Sequence, residues 1–178
     1  MRKFLTILVL FPALLLAQTA APKKAATKPA GPEAVILTPD KIQWGPAPPI
    51  FQPGAQFAVI AGDPSKAGPY IVRLKLPDGY KIMPHWHPTT ENVTVISGEF
   101  HAAMGDKFDE SSMGTLPPGS VAVMPPHHNH YAMAKGETVV QVNGTGPFKL
   151  TYVNPADDPT KGQSGAAPKT TKTPAPKK

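Results

Sequence analysis

Short runs of β-branched and aromatic residues alternate with Pro, Gly and Asp from about residue 34 to residue 155. Runs of this length, ended by turn residues, predict a domain of short β-strands. No stretch keeps apolar residues at helical spacing over three turns, so no long helix is predicted. About ten short strands favour a β-sandwich or a β-barrel, since both folds limit open sheet edges. The predicted strands are Ala34–Leu37, Gln56–Ala61, Tyr70–Lys75, Tyr80–Trp86, Asn92–Ser97, Glu99–Met104, Ser120–Met124, His130–Ala134, Thr138–Asn143 and Phe148–Val153.

A loop is predicted between two of these strands, from Gly105 to Gly119. Within it, Asp109–Met113 could form one helical turn. The loop could lie over the mouth of a barrel. Its acidic side chains, which include Asp106 and Glu110, could form a second cation site of oxygen ligands or belong to an ordinary solvated loop.

The N-terminal segment has a different pattern from the rest of the chain. Arg2 and Lys3 precede an apolar run, Phe4–Ala17, and small residues follow it. A charged start, a short apolar core and a small-residue region are typical of a secretory signal peptide. The run contains Pro12 and is shorter than the roughly 20 apolar residues of a spanning helix. We therefore predict a signal peptide over residues 1–20, export to the periplasm or the medium, and no membrane span.

The net charge of +6 would favour binding to nucleic acid or membranes, but its distribution along the chain argues against this. Basic residues outnumber acidic ones only at the two ends, whereas the middle holds eight basic and eleven acidic residues. Both ends are rich in Ala, Pro, Lys and Thr, so they cannot bury enough apolar surface to fold. We expect a disordered linker over 21–33, a folded domain over 34–157 and a disordered tail over 158–178. No nucleic-acid partner is predicted.

The chain contains no cysteine. It therefore has no disulfide and no thiolate metal ligand, and a transition-metal site would have to use imidazole and carboxylate groups.

A pair of histidines on one predicted strand is the first sign of such a site. His85 and His87 are two residues apart, so on a strand their side chains leave the same face about 7 Å apart. Trp86 between them points to the other face. A turn at Pro88–Thr90 would let Glu91 open the next strand beside the pair. These three side chains could share a metal ion.

The spacing of these residues resembles the first sequence motif of the cupin superfamily. Gly79, His85, His87, Glu91 and Gly98 stand at the positions of that motif without a misfit. The resemblance is closest to uncharacterised, small exported bacterial cupins that consist of one domain.

The second cupin motif is met only in part. Gly119, Pro125 and His130 fit it, but His127 replaces an expected glycine and Ala134 an expected asparagine. Both motifs occur in the order that is typical of cupins and in an all-β context.

The resemblance implies an all-β fold, a single cupin jelly-roll β-barrel that binds one divalent transition metal inside. The implied metal is Fe, Mn, Zn, Cu or Ni, and the sequence does not distinguish among them. The implied ligands are His85, His87, Glu91 and His130. His128 competes with His130 for the fourth position because the two share strand parity. A homodimer is implied by the resemblance alone.

Strand alternation also predicts which residues beside the ligands face inward. Met83, Val93, Val95 and Ala132 share faces with the ligands of their own strands, so they predict an apolar pocket. Gln141 could donate a hydrogen bond to a ligand histidine, or it could face solvent on the outside of the domain.

Three neutral imidazoles and one carboxylate leave two positions of an octahedral metal open. Open positions are what a catalytic metal needs, so the ligand set favours an exported metal-dependent enzyme, oxygenase-like, that acts on a small molecule. A non-catalytic module that binds or senses a small ligand in the same barrel is the main alternative. A third alternative is a metal-independent structural unit.

Overall fold

The computed structural model describes residues 34–161, which form nine β-strands and three short 3₁₀ helices. The predicted signal peptide, linker and most of the predicted tail lie outside the described residues. Within them, no helix has the length and apolar character needed to cross a membrane. The 3₁₀ helices span Pro39–Lys41, Glu110–Ser112 and Pro155–Asp157. The strands are β1 (Gly45–Pro46), β2 (Gln56–Ala61), β3 (Gly68–Leu76), β4 (Lys81–Trp86), β5 (Glu91–Met104), β6 (Gly114–Leu116), β7 (Val121–Met124), β8 (His130–Gly146) and β9 (Thr151–Tyr152).

Two long strands, β5 and β8, pair with each other along most of their length and belong to both layers of the fold. The second half of β8 also pairs with β3, and the first half of β5 pairs with β7. The first half of β8 pairs with β4, and the second half of β5 pairs with β6. All of these pairings are antiparallel. The domain is therefore an all-β jelly-roll barrel, as the cupin resemblance predicts.

The two long strands pass from one layer to the other at a shared bend. Gly98 in β5 has φ +80°, and the register between β5 and β8 shifts twice here, between Val95 and Ser97 and between Ser97 and Glu99. A Cβ at Gly98 would collide with the carbonyl oxygen of Glu137 and with Thr138. The fully buried Thr138 hydroxyl donates to the Glu99 carbonyl at 3.1 Å and accepts from the Glu99 N–H at 3.2 Å. These bonds hold the backbone where the ladder is broken.

The core lies between the two layers and is built from alternate residues of the strands. Val72, Leu74 and Leu76 of β3 are buried together with Val140 and Val142 of β8. Side chains of a strand alternate between its faces, so one face of each strand packs into the core. Because of this alternation, the inward-facing residues near the ends of β4, β5 and β8 surround one common space.

Most of the predicted strands are present, with three kinds of difference. β2 is found as predicted, whereas β5 and β8 are each one bent strand where the turn signals around Gly98 and Gly136 predicted two. Ala34–Leu37, predicted as a strand, is exposed and irregular. The short strands β1 and β6 were not predicted because each has only two or three residues and no apolar alternation.

The loop between β5 and β7 forms the predicted single helical turn and contains β6. Phe108 packs on Tyr131 with ring centroids 5.4 Å apart, and Tyr131 is buried outside the main core cluster, with its hydroxyl donating to the Asp109 carbonyl of the loop. Glu110 forms a 2.6 Å ion pair with Lys81. The loop therefore covers the outside of β4 and β8, and none of its residues lines the central cavity.

Candidate metal centre

A bulge in β4 determines which of its side chains face the interior. Ile82 pairs with Ala132 and His85 pairs with His130, so β4 has one more residue than β8 between these two pairs. Pro84 lies in this stretch and has no N–H for the ladder. The extra residue reverses the alternation. His85 and Ile82 therefore both line the cavity, although they are three residues apart.

Four side chains converge at one end of the barrel: His85, His87, Glu91 and His130. One nitrogen or oxygen from each lies within 4.8 Å of the others, and the three histidines are buried. The ring centroid of His85 is 4.3 Å from that of His130 and 5.0 Å from that of His87. The structure thus brings together all four residues that the cupin resemblance implies.

The orientation of each imidazole is set by a hydrogen bond to the backbone. A carbonyl can only accept, so each Nδ1 carries the hydrogen and leaves the lone pair on Nε2. Such backbone contacts are usual for metal-binding histidines, because they fix the tautomer and the ring angle. The Nδ1 atoms of His85, His87 and His130 donate to the carbonyl oxygens of Met83 at 2.7 Å, Lys149 at 2.8 Å and His128 at 2.9 Å.

The electrostatics of the cluster favour neutral imidazoles and an ionised carboxylate. Burial, together with the other two imidazoles, lowers the pKa of His85 to about 3, and burial also lowers the pKa of His87. Burial raises the pKa of Glu91, whereas a hydrogen bond from His130 and positive charge on the imidazoles, present where these are protonated, lower it, and the net direction is below its ordinary value. Neutral imidazole and carboxylate are the forms that bind metal ions.

Two buried nitrogens in the cluster have no hydrogen-bond partner within residues 34–161: Nε2 of His87 and Nε2 of His130. Their distances to the Glu91 carboxylate, 3.5 Å and 3.4 Å, exceed those of a charge-assisted hydrogen bond. Unpaired buried polar atoms are costly, and a cation between them would satisfy both. The residues therefore fit a metal ion, and the cluster could hold one.

The cluster opens into a cavity whose other walls are mainly apolar. Aromatic rings of Phe51, Phe57, Tyr70, Phe100 and Phe148 line it together with aliphatic side chains. No lysine or arginine is among its described lining residues. A guest beside the cluster would meet one carboxylate, three imidazoles and an otherwise uncharged surface.

The structure places the five predicted pocket residues in different environments. Val93 and Ala132 line the cavity, whereas Val95 is buried in the core without lining it. Met83 packs against the core but does not line the cavity, where the bulge places Ile82 instead. Gln141 lies on the outer face and accepts a 3.1 Å hydrogen bond from Arg73. Gln141 contacts no histidine of the cluster. The Nδ1–H groups of the cluster histidines donate to backbone carbonyls instead.

The competing histidine, His128, does not join the cluster. It is exposed, and its Nδ1 lies 3.0 Å from the carbonyl oxygen of Pro126. His127, which occupies the position of an expected glycine, has φ +61°, and its ring lies over Trp86 with centroids 4.7 Å apart.

Several cavity residues were missed by the sequence reasoning. Phe51 and Phe148 stack with centroids 6.2 Å apart, and Phe148 also lies 5.5 Å from the His87 ring. Phe51 precedes β2 and was on no predicted strand. Phe148 was predicted to begin the strand Phe148–Val153, but β9 begins only at Thr151, so strand alternation does not set its orientation. Tyr70 was predicted on a strand, but its orientation toward the cluster depends on pairing between distant segments.

Solved structures with similar folds are proteins of diverse descriptions. A protein proposed to be an acetylacetone dioxygenase, from Methylibium petroleiphilum, aligns with a TM-score of 0.57 and 16% identity over 75% of this chain and 90% of its own. The polyketide cyclase RemF from Streptomyces resistomycificus aligns with a TM-score of 0.59 and 12% identity over 72% of this chain and 92% of its own. KdgF from Halomonas aligns with a TM-score of 0.50 and 22% identity over 64% of this chain and 96% of its own. At these identities the similarity establishes the fold.

No protein of curated function matches the chain by sequence. The jelly-roll barrel and the two motifs identify the fold as that of the cupins. A family model described as a domain of unknown function, DUF4437, matches residues 17–151. Because this match spans well over half of the sequence, the chain belongs to the DUF4437 family.

Proposed function

We propose that this chain is an exported, metal-dependent cupin enzyme, oxygenase-like, that acts on a small and mostly apolar molecule able to chelate a metal. The observation that carries this proposal is a pair of buried Nε2 atoms, of His87 and His130, that have no partner among residues 34–161 and face Glu91 at the end of an apolar cavity. A purely structural histidine cluster would pair these atoms with protein groups.

Each part of the site has a distinct task in this proposal. His85, His87, His130 and Glu91 would hold one divalent ion, Fe, Mn, Zn, Cu or Ni. When bound, the ion would act as a Lewis acid on an oxygen ligand and offer positions to substrate or dioxygen. The buried Nδ1 contacts keep the imidazoles oriented before the metal arrives. The aromatic walls exclude water and orient the apolar part of the guest.

The named neighbours support the fold of this proposal and not its reaction. The descriptions as a dioxygenase and as a polyketide cyclase belong to those proteins, which share at most 16% of their residues with this chain. The guest class proposed for this chain rests on the cavity lining.

Export is part of the proposal because of the charged and apolar pattern of residues 1–20. N-terminal sequencing of protein from the exported fraction should find a start between Ala17 and Ala21. A start at Met1 in the exported protein would contradict the proposed cleavage.

Metal analysis of the exported protein, combined with mass spectrometry of any co-purifying small molecule, tests the function directly. We expect one equivalent of metal per chain, and metal-dependent consumption of dioxygen or of the co-purified molecule. Glu91→Gln keeps the side-chain shape but removes the charge. This variant should therefore lose both the bound metal and the metal-dependent consumption. Full metal content without any turnover would reject the enzyme.

A non-catalytic binding module is the second candidate, and one observation favours it. Apart from the four cluster residues, Tyr70 is the one titratable side chain among the described residues that line the cavity. A reaction that needs a separate general base would therefore find none there. Retention of a small molecule without turnover would support this candidate.

A further inference from the structure

Tyr70 differs from the other three tyrosines of the chain. The hydroxyls of Tyr80, Tyr131 and Tyr152 each donate to a backbone carbonyl, at 2.6, 3.2 and 2.8 Å. No hydrogen bond within residues 34–161 involves the Tyr70 hydroxyl, and 4% of the residue is exposed. The hydroxyl oxygen is not sealed inside the protein, since it is not one of the buried atoms that lack a partner. Hydroxyls of buried tyrosine rings usually have a partner. A donor left free at the wall of a cavity is therefore available to a molecule that enters the cavity.

The register of three strands directs this hydroxyl toward the metal centre. Tyr70 in β3 pairs with Gly144 in β8. Asn92 in β5 pairs with Asn143, so the next position along that antiparallel ladder places Glu91 opposite Gly144. Tyr70 and Glu91 thus stand in one row on the inner face, two strand spacings or about 10 Å apart at Cα.

Gly144 between them provides the space for the tyrosine ring. A Cβ at Gly144 would collide with the hydroxyl and the ring of Tyr70. The ring therefore leans over the glycine, and Phe148 meets it edge-on with centroids 6.3 Å apart. This packing fixes the ring on the side of the cavity where Glu91 lies.

Tyr70 also forms the wall between the cavity and a groove on the outside. It lines the cavity together with His87 and Glu91, and it lines the groove together with Thr89 and Thr145. Among the described residues, Tyr70 is the one that lines both the cavity and the groove.

We propose that the Tyr70 hydroxyl donates a hydrogen bond to an oxygen atom of the small molecule that binds at the His85, His87, Glu91 and His130 cluster. This inference rests on the proposed function and adds a contact to the guest proposed there. The guest is a mostly apolar chelator, and one of its oxygens accepts the hydrogen bond from Tyr70.

The chemistry of the cavity supports a neutral or singly charged guest. No lysine or arginine among the described lining residues could neutralise additional negative charge. Burial, reinforced by Glu91, raises the pKa of Tyr70 to about 12, so the hydroxyl keeps its proton and acts as a donor at neutral pH. One protein carboxylate and one divalent ion leave a single positive charge for the guest to balance.

Acetohydroxamate, a small chelator with two adjacent oxygens, is a suitable probe for this contact. The full chain is loaded with Co²⁺, and acetohydroxamate is titrated while the visible absorption of the cobalt is recorded. Tyr70→Phe should weaken acetohydroxamate about tenfold or more, since a hydrogen bond to a charged acceptor contributes that much. Its cobalt content and melting temperature should remain those of the wild type, because the hydroxyl has no partner among the described residues 34–161 to lose.

Tyr80→Phe is the matched control. It removes a hydroxyl that donates to the Gln52 carbonyl, away from the cavity lining. The melting temperature should fall, and the affinity for acetohydroxamate should stay unchanged. Gly144→Ala provides a second variant, in which the added methyl displaces the Tyr70 ring and should also weaken acetohydroxamate without removing cobalt.

The outcomes separate this inference from the function on which it rests. Equal affinities of wild type and Tyr70→Phe at equal cobalt content would overturn the role of Tyr70 and leave the metal centre standing. A cobalt-loaded wild type that does not bind acetohydroxamate would also overturn it. A wild type that takes up no Co²⁺ would overturn the proposed function itself, and the inference with it.

Discussion

His85 lies directly opposite His130 in the antiparallel ladder between β4 and β8, with the two ring centroids 4.3 Å apart. The backbone pairing of two strands thus fixes two of the four converging side chains. Glu91 comes from the first half of β5, which pairs with β7 in the other layer. The cluster therefore connects the two layers of the barrel, and a cation bound there would tie them together.

Metal binding should stabilise the fold for this reason. At a metal concentration a thousand times the dissociation constant, a ligand that binds only the folded state adds about 4 kcal/mol to the free energy of unfolding. We expect the melting temperature to rise by several degrees between protein in a chelator and protein with one of the five candidate metals. Differential scanning calorimetry measures this shift. Glu91→Gln should show little or none of it, and a wild type with the same melting temperature in both conditions would contradict the prediction.

The two competing histidines of the second motif should behave differently when replaced. His130→Ala removes a buried imidazole from the cluster, whereas His128→Ala removes an exposed one that lies outside it. We expect His130→Ala to lower metal affinity at least a hundredfold, since even supporting contacts contribute about 10–100-fold. His128→Ala should keep the wild-type affinity. Equilibrium dialysis with elemental analysis distinguishes the two, and the reverse result would assign the fourth ligand to His128.

The cluster could be predicted from the sequence because its members stand at fixed short spacings. His85, His87 and Glu91 lie within seven residues of one another, so strand period and one turn are enough to place them together. The jelly roll followed from the same motif and from the all-β pattern. Only the identity of the fourth member, His130 or His128, required the structure.

The pocket could not be predicted as well, because its lining depends on features that alternation does not contain. One extra residue beside Pro84 was enough to place Ile82, and not Met83, in the cavity lining. The relation between Tyr70 and Glu91 depends on two ladders that meet at Gly144, far along the chain from both. Phe148 reaches the cavity from outside any strand. Pairing register and loop packing decide such contacts, and both are properties of the folded chain.

Stability measurements can test the reversal of alternation in β4. Ile82 is buried and lines the cavity, whereas Met83 is only partly buried. Ile82→Ala should cost about 2–4 kcal/mol of the free energy of unfolding, within the range for buried aliphatic truncations. Met83→Ala should cost clearly less. Urea unfolding of both variants gives the comparison, and a larger loss for Met83→Ala would mean that the alternation is not reversed.

Acidification should destabilise the metal-free protein through its buried histidines. The pKa of His85 falls from 6.5 in the unfolded chain to about 3 in the fold, and that of His87 is lowered as well. A lowered pKa means that the unfolded state binds protons that the folded state does not, so stability is complete above pH 6.5 and is lost as the pH falls toward 3. The lowered pKa of Glu91 acts in the same direction at still lower pH.

Urea midpoints measured in a chelator at pH 7.5, 6 and 5 should therefore decrease in that order. His85→Phe, which replaces the imidazole by an apolar ring, should show a weaker decrease than the wild type. A midpoint that is constant between pH 7.5 and 5 would show that the buried imidazoles do not resist protonation.

The bend shared by β5 and β8 offers the sharpest test of how the two layers are joined. Gly98 and Gly136 both have positive φ, +80° and +70°, so an alanine at either position carries a similar backbone penalty of about 1 kcal/mol. Space distinguishes them, since a Cβ at Gly98 would collide with Glu137 and Thr138, whereas a Cβ at Gly136 would meet no atom within 4 Å. Gly136→Ala should therefore cost only the backbone penalty. Gly98→Ala should cost at least about 2 kcal/mol more, because backbone atoms at the bend cannot move aside without breaking the Thr138 hydrogen bonds. Equal losses for the two variants in urea unfolding would mean that the strands do not approach each other this closely at the bend.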